Sequence, residues 1–151
     1  MKAYFQRLYE YENWANGRII ETLKKLDTPP DRSLLLLAHL LIAQREWLHR
    51  ILKKSTTDKF WLLYDLEQSE ELFKKNNEEW SHFFLTIQDD DLTVPFHYKN
   101  SKGEQFDSPM VDILTHLLGH SNYHRGQIID SIKGLIEPLP NTDFIVFSRN
   151  P

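Results

Sequence analysis

The chain has 151 residues, 40% of them hydrophobic and 26% charged, the balance of one folded globular domain rather than of a disordered chain. Its formal net charge of -4 and pI near 6.0 have the wrong sign for a protein that gains affinity by neutralising phosphates, so nucleic acid is not an expected partner. The absence of cysteine excludes disulfides, thiolate zinc sites and a protein-borne thiol nucleophile; any thiol chemistry needs a thiol from outside.

Taken in chain order, the first predicted helix runs from Lys2 to about Leu26, where Phe5, Leu8, Tyr9, Trp14, Ile19, Ile20 and Leu23 recur at helical spacing before Thr28, Pro29 and Pro30 stop it. The second runs from about Asp31 to Lys54, acidic at its start and basic at its end, as its dipole favours. Its first half is apolar nearly all round, which makes it central. Residues 55–58 read as a loop, and Phe60 to Tyr64 as an aromatic run packed across the bundle.

A third helix is expected from about Asp65 to Gln88, with Leu66, Leu72, Phe73, Trp80, Phe83, Phe84 and Ile87 on the core side and a run of charges solvating the other. Between Leu92 and Phe106, β-branched and aromatic residues flank the turn signal Asn100-Ser101-Lys102-Gly103, the pattern of a small hairpin. Ser108 as N-cap and Pro109 as first helical residue then open a last long helix reaching about Lys133. The tail from Glu137 to Pro151 reads as too proline-rich for helix. The expectation is an all-α fold, a four-helix up-and-down bundle with a β-hairpin excursion before the last long helix, as a single domain over residues 1–151.

The N-terminal stretch mixes charges with aromatics and lacks the apolar core of a secretory signal, and the longest apolar run, Leu34 to Ile42, is too short to span a bilayer. A cytoplasmic protein with no membrane partner is the default reading.

The chain carries seven histidines. His116, His120 and His124 stand four apart on one face of the last helix. At about 1.5 Å rise per residue, the outer two are separated by about 12 Å, too far for one ion bound at about 2.0–2.1 Å. At most two neighbours can chelate a given ion, and a third protein ligand must come from another helix. His39 is the strongest candidate, because within LLLLAHLLIA an unpaired imidazole would be desolvated without compensation. A hydrogen-bonded core histidine is the alternative there. His49, near a lysine-rich helix end, His82, on a mixed face, and His97, in the hairpin, are weaker candidates.

Four segments carry a resemblance: YENWANGRII at 11–20, AHLLIAQREWLHRI at 38–51, ILTHLLGHSNYHRGQI at 113–128 and PNTDFIVFSR at 140–149. They resemble the DinB-like family of four-helix-bundle metalloproteins, whose HxxxHRGQ motif falls on His120, His124, Arg125, Gly126 and Gln127. The family's remaining ligand, a second-helix histidine ahead of a WLxRI pattern, falls on His39. The resemblance implies a triad of His39, His120 and His124 around a divalent metal ion, zinc or nickel, with His116 a neighbour rather than a ligand.

It also implies a metal-dependent S-transferase that uses a low-molecular-weight thiol on a small-molecule substrate. The alternatives are a non-catalytic, stress-associated metal-binding protein and a metal-dependent hydrolase. A homodimer is expected. No residue is assigned a catalytic role, since no general acid or base is visibly paired with the triad. Glu46 reads as facing the pocket or pairing with a lysine or Arg50 at the surface. Gln127 is placed to orient a ligand or close a helix contact, Arg125 is structural, and Trp14, Trp47 and Tyr123 read as core aromatics, or as walls of the apolar pocket that the resemblance implies.

Overall fold

The computed structural model describes residues 1–149. Four long helices, α1 (Lys2–Leu23), α2 (Asp31–Ile51), α3 (Leu66–Thr86) and α4 (Met110–Ser131), pack together. An antiparallel hairpin of β1 (Pro95–Lys99) and β2 (Gln105–Pro109) precedes α4, and a short helix α5 (Phe144–Arg149) follows it. The seams do not follow chain order. Helix α1 packs on α3 and α4, and so does α2, which places the successive helices α1 and α2 across the diagonal of the bundle. No helix among the described residues is long and apolar enough to cross a membrane.

Local chemistry sets the helix ends. Asp65 caps α3 with a reciprocal capping box: its carboxylate accepts from the Gln68 N–H at 2.8 Å, while the Gln68 side chain accepts from the Asp65 N–H at 3.0 Å. Helix α2 stops at Ile51, three residues short of the expected end. Lys53 turns into the left-handed region at φ 53°, and the Lys53 and Lys54 amides donate back to the carbonyls of Arg50 and His49. These are the two bonds of a Schellman motif, which satisfies the last carbonyls. Gly103, at φ 81°, supplies the left-handed residue of the hairpin turn, where Asn100 Oδ1 accepts from the amides of Lys102 and Glu104.

Two expectations are corrected. Ser108 and Pro109 do not open α4 as N-cap and first helical residue: both belong to β2, paired with Phe96 and Pro95, and Pro109 stands at the N-cap position. The strand runs directly into the helix, and the Ser108 hydroxyl lies 3.4 Å from that of Tyr98 instead of on a helix amide. The tail is not devoid of helix. Its prolines end at Pro140 within the described residues, and beyond them Phe144–Arg149 coils against α1, Phe144 meeting Tyr11 edge-on at 5.2 Å and Phe147 packing on Trp14 at 5.8 Å. Asn150 and Pro151 lie outside the described residues.

The core is two apolar halves. One gathers Ile19, Leu23, Leu37, Leu41 and Ile128. The other gathers Tyr9, Leu48, Trp80, Phe83, Phe84 and Leu114. A belt of buried polar residues also lies in the interior: Glu12 and Asn16 from α1, Gln44 from α2, Ser121 and Arg125 from α4. Arg125 forks onto both oxygens of Glu12 at 2.7 and 2.9 Å and also donates to Asn16, Tyr11 and Asn122. Gln44 donates to Glu12 and to Ser121 across the bundle. Arg125 is structural, as the sequence indicates; its partner Glu12 occupies a position in the apolar register of α1.

Removing one member of this pair strands the other charge in a low-dielectric interior, at a cost of about 3–5 kcal/mol. Arg125→Ala is therefore expected to lower the urea midpoint severely, and the joint replacement Glu12→Leu with Arg125→Met to lose much less. Equal losses in the single and double variants would show that the pair is not what Arg125 contributes.

Candidate metal centre

His39 lies in the middle of α2, and His120 and His124 lie one turn apart on α4, along the seam where α2 packs on α4. The three residues offer ring nitrogens that all lie within 4.8 Å of one another. Nitrogens bound to one ion at about 2.0–2.1 Å stand roughly 3 to 4 Å apart, so only small ring movements separate this arrangement from a bonded one. Among the described residues no other group of three histidines or carboxylates comes together in this way.

Hydrogen bonds decide which nitrogen each ring offers. The Nδ1–H of His39 donates to the Phe60 carbonyl at 2.9 Å, and that of His124 to the Gln127 side-chain carbonyl at 2.7 Å. A carbonyl only accepts, so both rings carry their proton on Nδ1 and leave a bare lone pair on Nε2. The Nε2 atoms of His39 and His120 face each other at 3.1 Å, and the buried Nδ1 of His120 has no partner among the described residues. A hydrogen bond between the two Nε2 atoms satisfies one lone pair at most. A cation satisfies all three, with the His120 proton carried on Nδ1. The donor set is therefore one that fits a metal ion.

Desolvation, offset in part by the Phe60 hydrogen bond, lowers the pKa of His39. Burial, reinforced by the rings of His124, His39 and His116, lowers that of His120 from 6.5 to about 4. Both imidazoles are held neutral at physiological pH, the state a metal requires.

The segment from 52 to 65, which has no regular secondary structure, passes over this site as a strap. Trp61 stacks on the His39 ring, centroids 3.6 Å apart and planes 8° from parallel, yet remains 58% exposed. Tyr123, 65% exposed, meets the His124 ring edge-on at 5.1 Å. Two open aromatic faces thus flank the imidazoles. Phe60, Leu62 and Tyr64 pack against the core as the aromatic run implies. The contribution of Phe60 through its carbonyl, and of Trp61 through its stacking, is carried by backbone geometry and a loop path that no periodicity encodes.

The other singled-out residues fall into place around this group. His116 is exposed, its ring 5.6 Å from that of His120 and outside the group of three. His49 bridges Ser55 and Glu79, His82 is exposed, and His97 pairs with Asp107 on the hairpin. Glu46 takes neither expected role: it is buried and clamps the strap, accepting from the amides of Thr57 and Asp58 and from the Thr57 hydroxyl. Asp58 holds there a left-handed conformation at φ 52° that aspartate tolerates better than most residues. Gln127 orients His124. Tyr123 is a surface residue rather than a core aromatic, and Trp14 and Trp47 are half-buried, Trp47 between Tyr98 and Arg50.

Comparison with known proteins agrees with the resemblance. The DinB family model matches residues 1–149. Protein DinB of Bacillus subtilis (strain 168) is 26% identical over 147 residues, covering 85% of this chain and 84% of that protein.

The lowered pKa of His120 has a consequence for stability. Between pH 6.5 and about 4 the unfolded chain binds a proton that folded His120 refuses, so the folded state loses stability as pH falls through that window and gains nothing from this group above it. Thermal unfolding of chelator-treated protein is expected to show a midpoint that drops across this range, and His120→Gln to flatten the drop. An identical slope in the variant would contradict the assignment.

Proposed function

The chain belongs to the DinB family, and from that premise we propose that it holds one divalent cation, zinc or nickel, with His39, His120 and His124, and uses it to transfer a low-molecular-weight thiol to an electrophilic small molecule. The observation that carries this reading is the convergence of three imidazoles from two helices, two of them with Nδ1 already committed to a carbonyl. Such outer hydrogen bonds fix the tautomer and aim the lone pair before any ion arrives. A cation bound by three neutral ligands keeps its charge and would lower the pKa of a coordinated thiol or water.

The protein's own residues then do the rest. Phe60 and Trp61 fix the plane of His39, and Gln127 that of His124. The exposed faces of Trp61 and Tyr123 offer apolar walls against which the body of an electrophile can lie. Among the described residues no carboxylate joins the group of three, and Glu46 is spent on the strap. A thiolate needs no such base once formed: its sulfur bonds to the electrophilic carbon and the leaving group departs with its electron pair. The same lack of an acid or base favours, as second reading, a protein that binds metal without turnover. Pairing of two copies belongs to the proposal, supported by exposed apolar residues such as Leu85 and Val94, and sedimentation decides it.

Elemental analysis of the purified protein is expected to find about one zinc or nickel per chain. Conjugation of monochlorobimane, run across a panel of small thiols, should exceed background and be abolished by chelator. His120→Ala should lose the metal and His97→Ala keep it, while Gln127→Ala should weaken metal affinity by about 10–100-fold. Metal bound without turnover for any thiol would favour the non-catalytic reading; equal metal loss in His120→Ala and His97→Ala would remove the site itself.

A further inference from the structure

Beneath the strap, on the α2 side, lies a cavity of about 260 Å³ that the histidine site does not use. Arg45 lines it, partly buried, and among the described residues its guanidinium has no carboxylate, no hydrogen bond and no aromatic ring as partner. The other arginine near the strap, Arg50, is by contrast engaged with Asp58 and stacked on Trp47 and Phe60. A guanidinium presents five donors in a planar fork, and those of Arg45 meet no acceptor among the described residues and are left to solvent, where an anion can take them.

Lys59, exposed, and Tyr64, half-buried, line the same space, and among the described residues neither the ammonium nor the hydroxyl has a hydrogen-bond or ion-pair partner. The negative group in the wall is Glu46, and both its oxygens are already taken by Thr57 and Asp58. His49, also in the wall, is tied to Ser55 and Glu79.

We propose that this cavity is a binding site for an oxyanion, the carboxylate or phosphate end of a small molecule, with Arg45 as its fork and Lys59 and Tyr64 as supporting donors. The shape and charge of the donors select the class. A planar fork with an ammonium and a hydroxyl beside it matches two or three oxygens sharing negative charge, and matches neither a cation nor an apolar ligand. Its position gives the site a neighbour: the strap that supplies Lys59 and Tyr64 to this cavity supplies Phe60 and Trp61 to His39. The inference stands on the cavity and its unpartnered donors and does not depend on the histidines holding a metal.

The test is titration of the full-length protein with inorganic phosphate and, separately, with succinate, followed by calorimetry and by the NMR signal of the Arg45 side-chain N–H. Saturable binding of at least one of the two, with a shifted Arg45 signal, is expected. Arg45→Gln should weaken it by about 10-fold or more, the loss of a charge-assisted hydrogen bond, and Lys59→Gln by less. Arg32→Gln, a charge change at the exposed start of α2, should leave it unchanged. Metal content and the thermal midpoint of Arg45→Gln should stay at the wild-type level, which separates loss of the site from loss of the fold. Non-saturable binding of both anions, or equal affinity in wild type and Arg45→Gln, would overturn the proposal.

Discussion

The bidentate pair between Arg125 and Glu12 is the contact on which the geometry of the site depends. Successive residues on an α-helix are about 100° apart around its axis. With Arg125 turned inward onto α1, its neighbour His124 is carried around toward α2, and His120, one turn earlier, follows it. The pair therefore sets the rotation of α4, and that rotation decides whether two imidazoles face His39 or face water. Gln44 extends the same constraint to the third helix, since it bonds to Glu12 on one side and to Ser121 on the other. All three elements that carry or orient the site are registered through one buried belt.

A buried ion pair is a poor way to gain stability, because desolvating two charges offsets most of their attraction. Apolar side chains of similar size in that layer would serve the core at least as well. They would also permit α4 to slide or rotate, since apolar packing tolerates many near-equivalent registers. The fork of Arg125 tolerates one. A bundle that must present ring nitrogens within a few ångströms of one another gains from a polar contact with a single geometry, and this one lies one residue from a proposed ligand.

Much of this was legible in the chain, for reasons tied to particular residues. The long helices follow from apolar periodicity, and the hairpin from Asn100 and Gly103, because each is encoded within a few residues. The four-residue stripe narrows the α4 candidates to a neighbouring pair, the resemblance of HxxxHRGQ picks His120 and His124 from it, and the apolar setting points to His39; the fold gathers these three. Glu12 could have been found: a carboxylate standing in the apolar register of α1, between Tyr9 and Ile19, calls for a buried cation. Other features depend on distant partners. The diagonal placement of α1 and α2 arises from which faces fit together, and Ser108 is drawn into β2 by its pairing with Phe96. The clamp of Glu46 on Thr57 and Asp58 depends on the path of a loop with no period to read.

That loop is where the most rigid and least regular parts of the molecule meet. His124 donates its Nδ1–H to Gln127, three residues on in its own helix, so its tautomer is a local property of α4. His39 donates its own to the Phe60 carbonyl, in a segment without secondary structure, so its tautomer is only as fixed as the strap. The strap is held by Glu46, by Arg50 through Asp58, by the packing of Phe60, Leu62 and Tyr64 on the core, and by the Trp61 stack on His39 itself. His39 and the strap thus position each other: the Phe60 hydrogen bond and the Trp61 stack both reach the imidazole from residues 60 and 61. Of the two imidazoles on α4, that of His124 is pre-set by its own helix, and that of His39 on α2 is set by the strap.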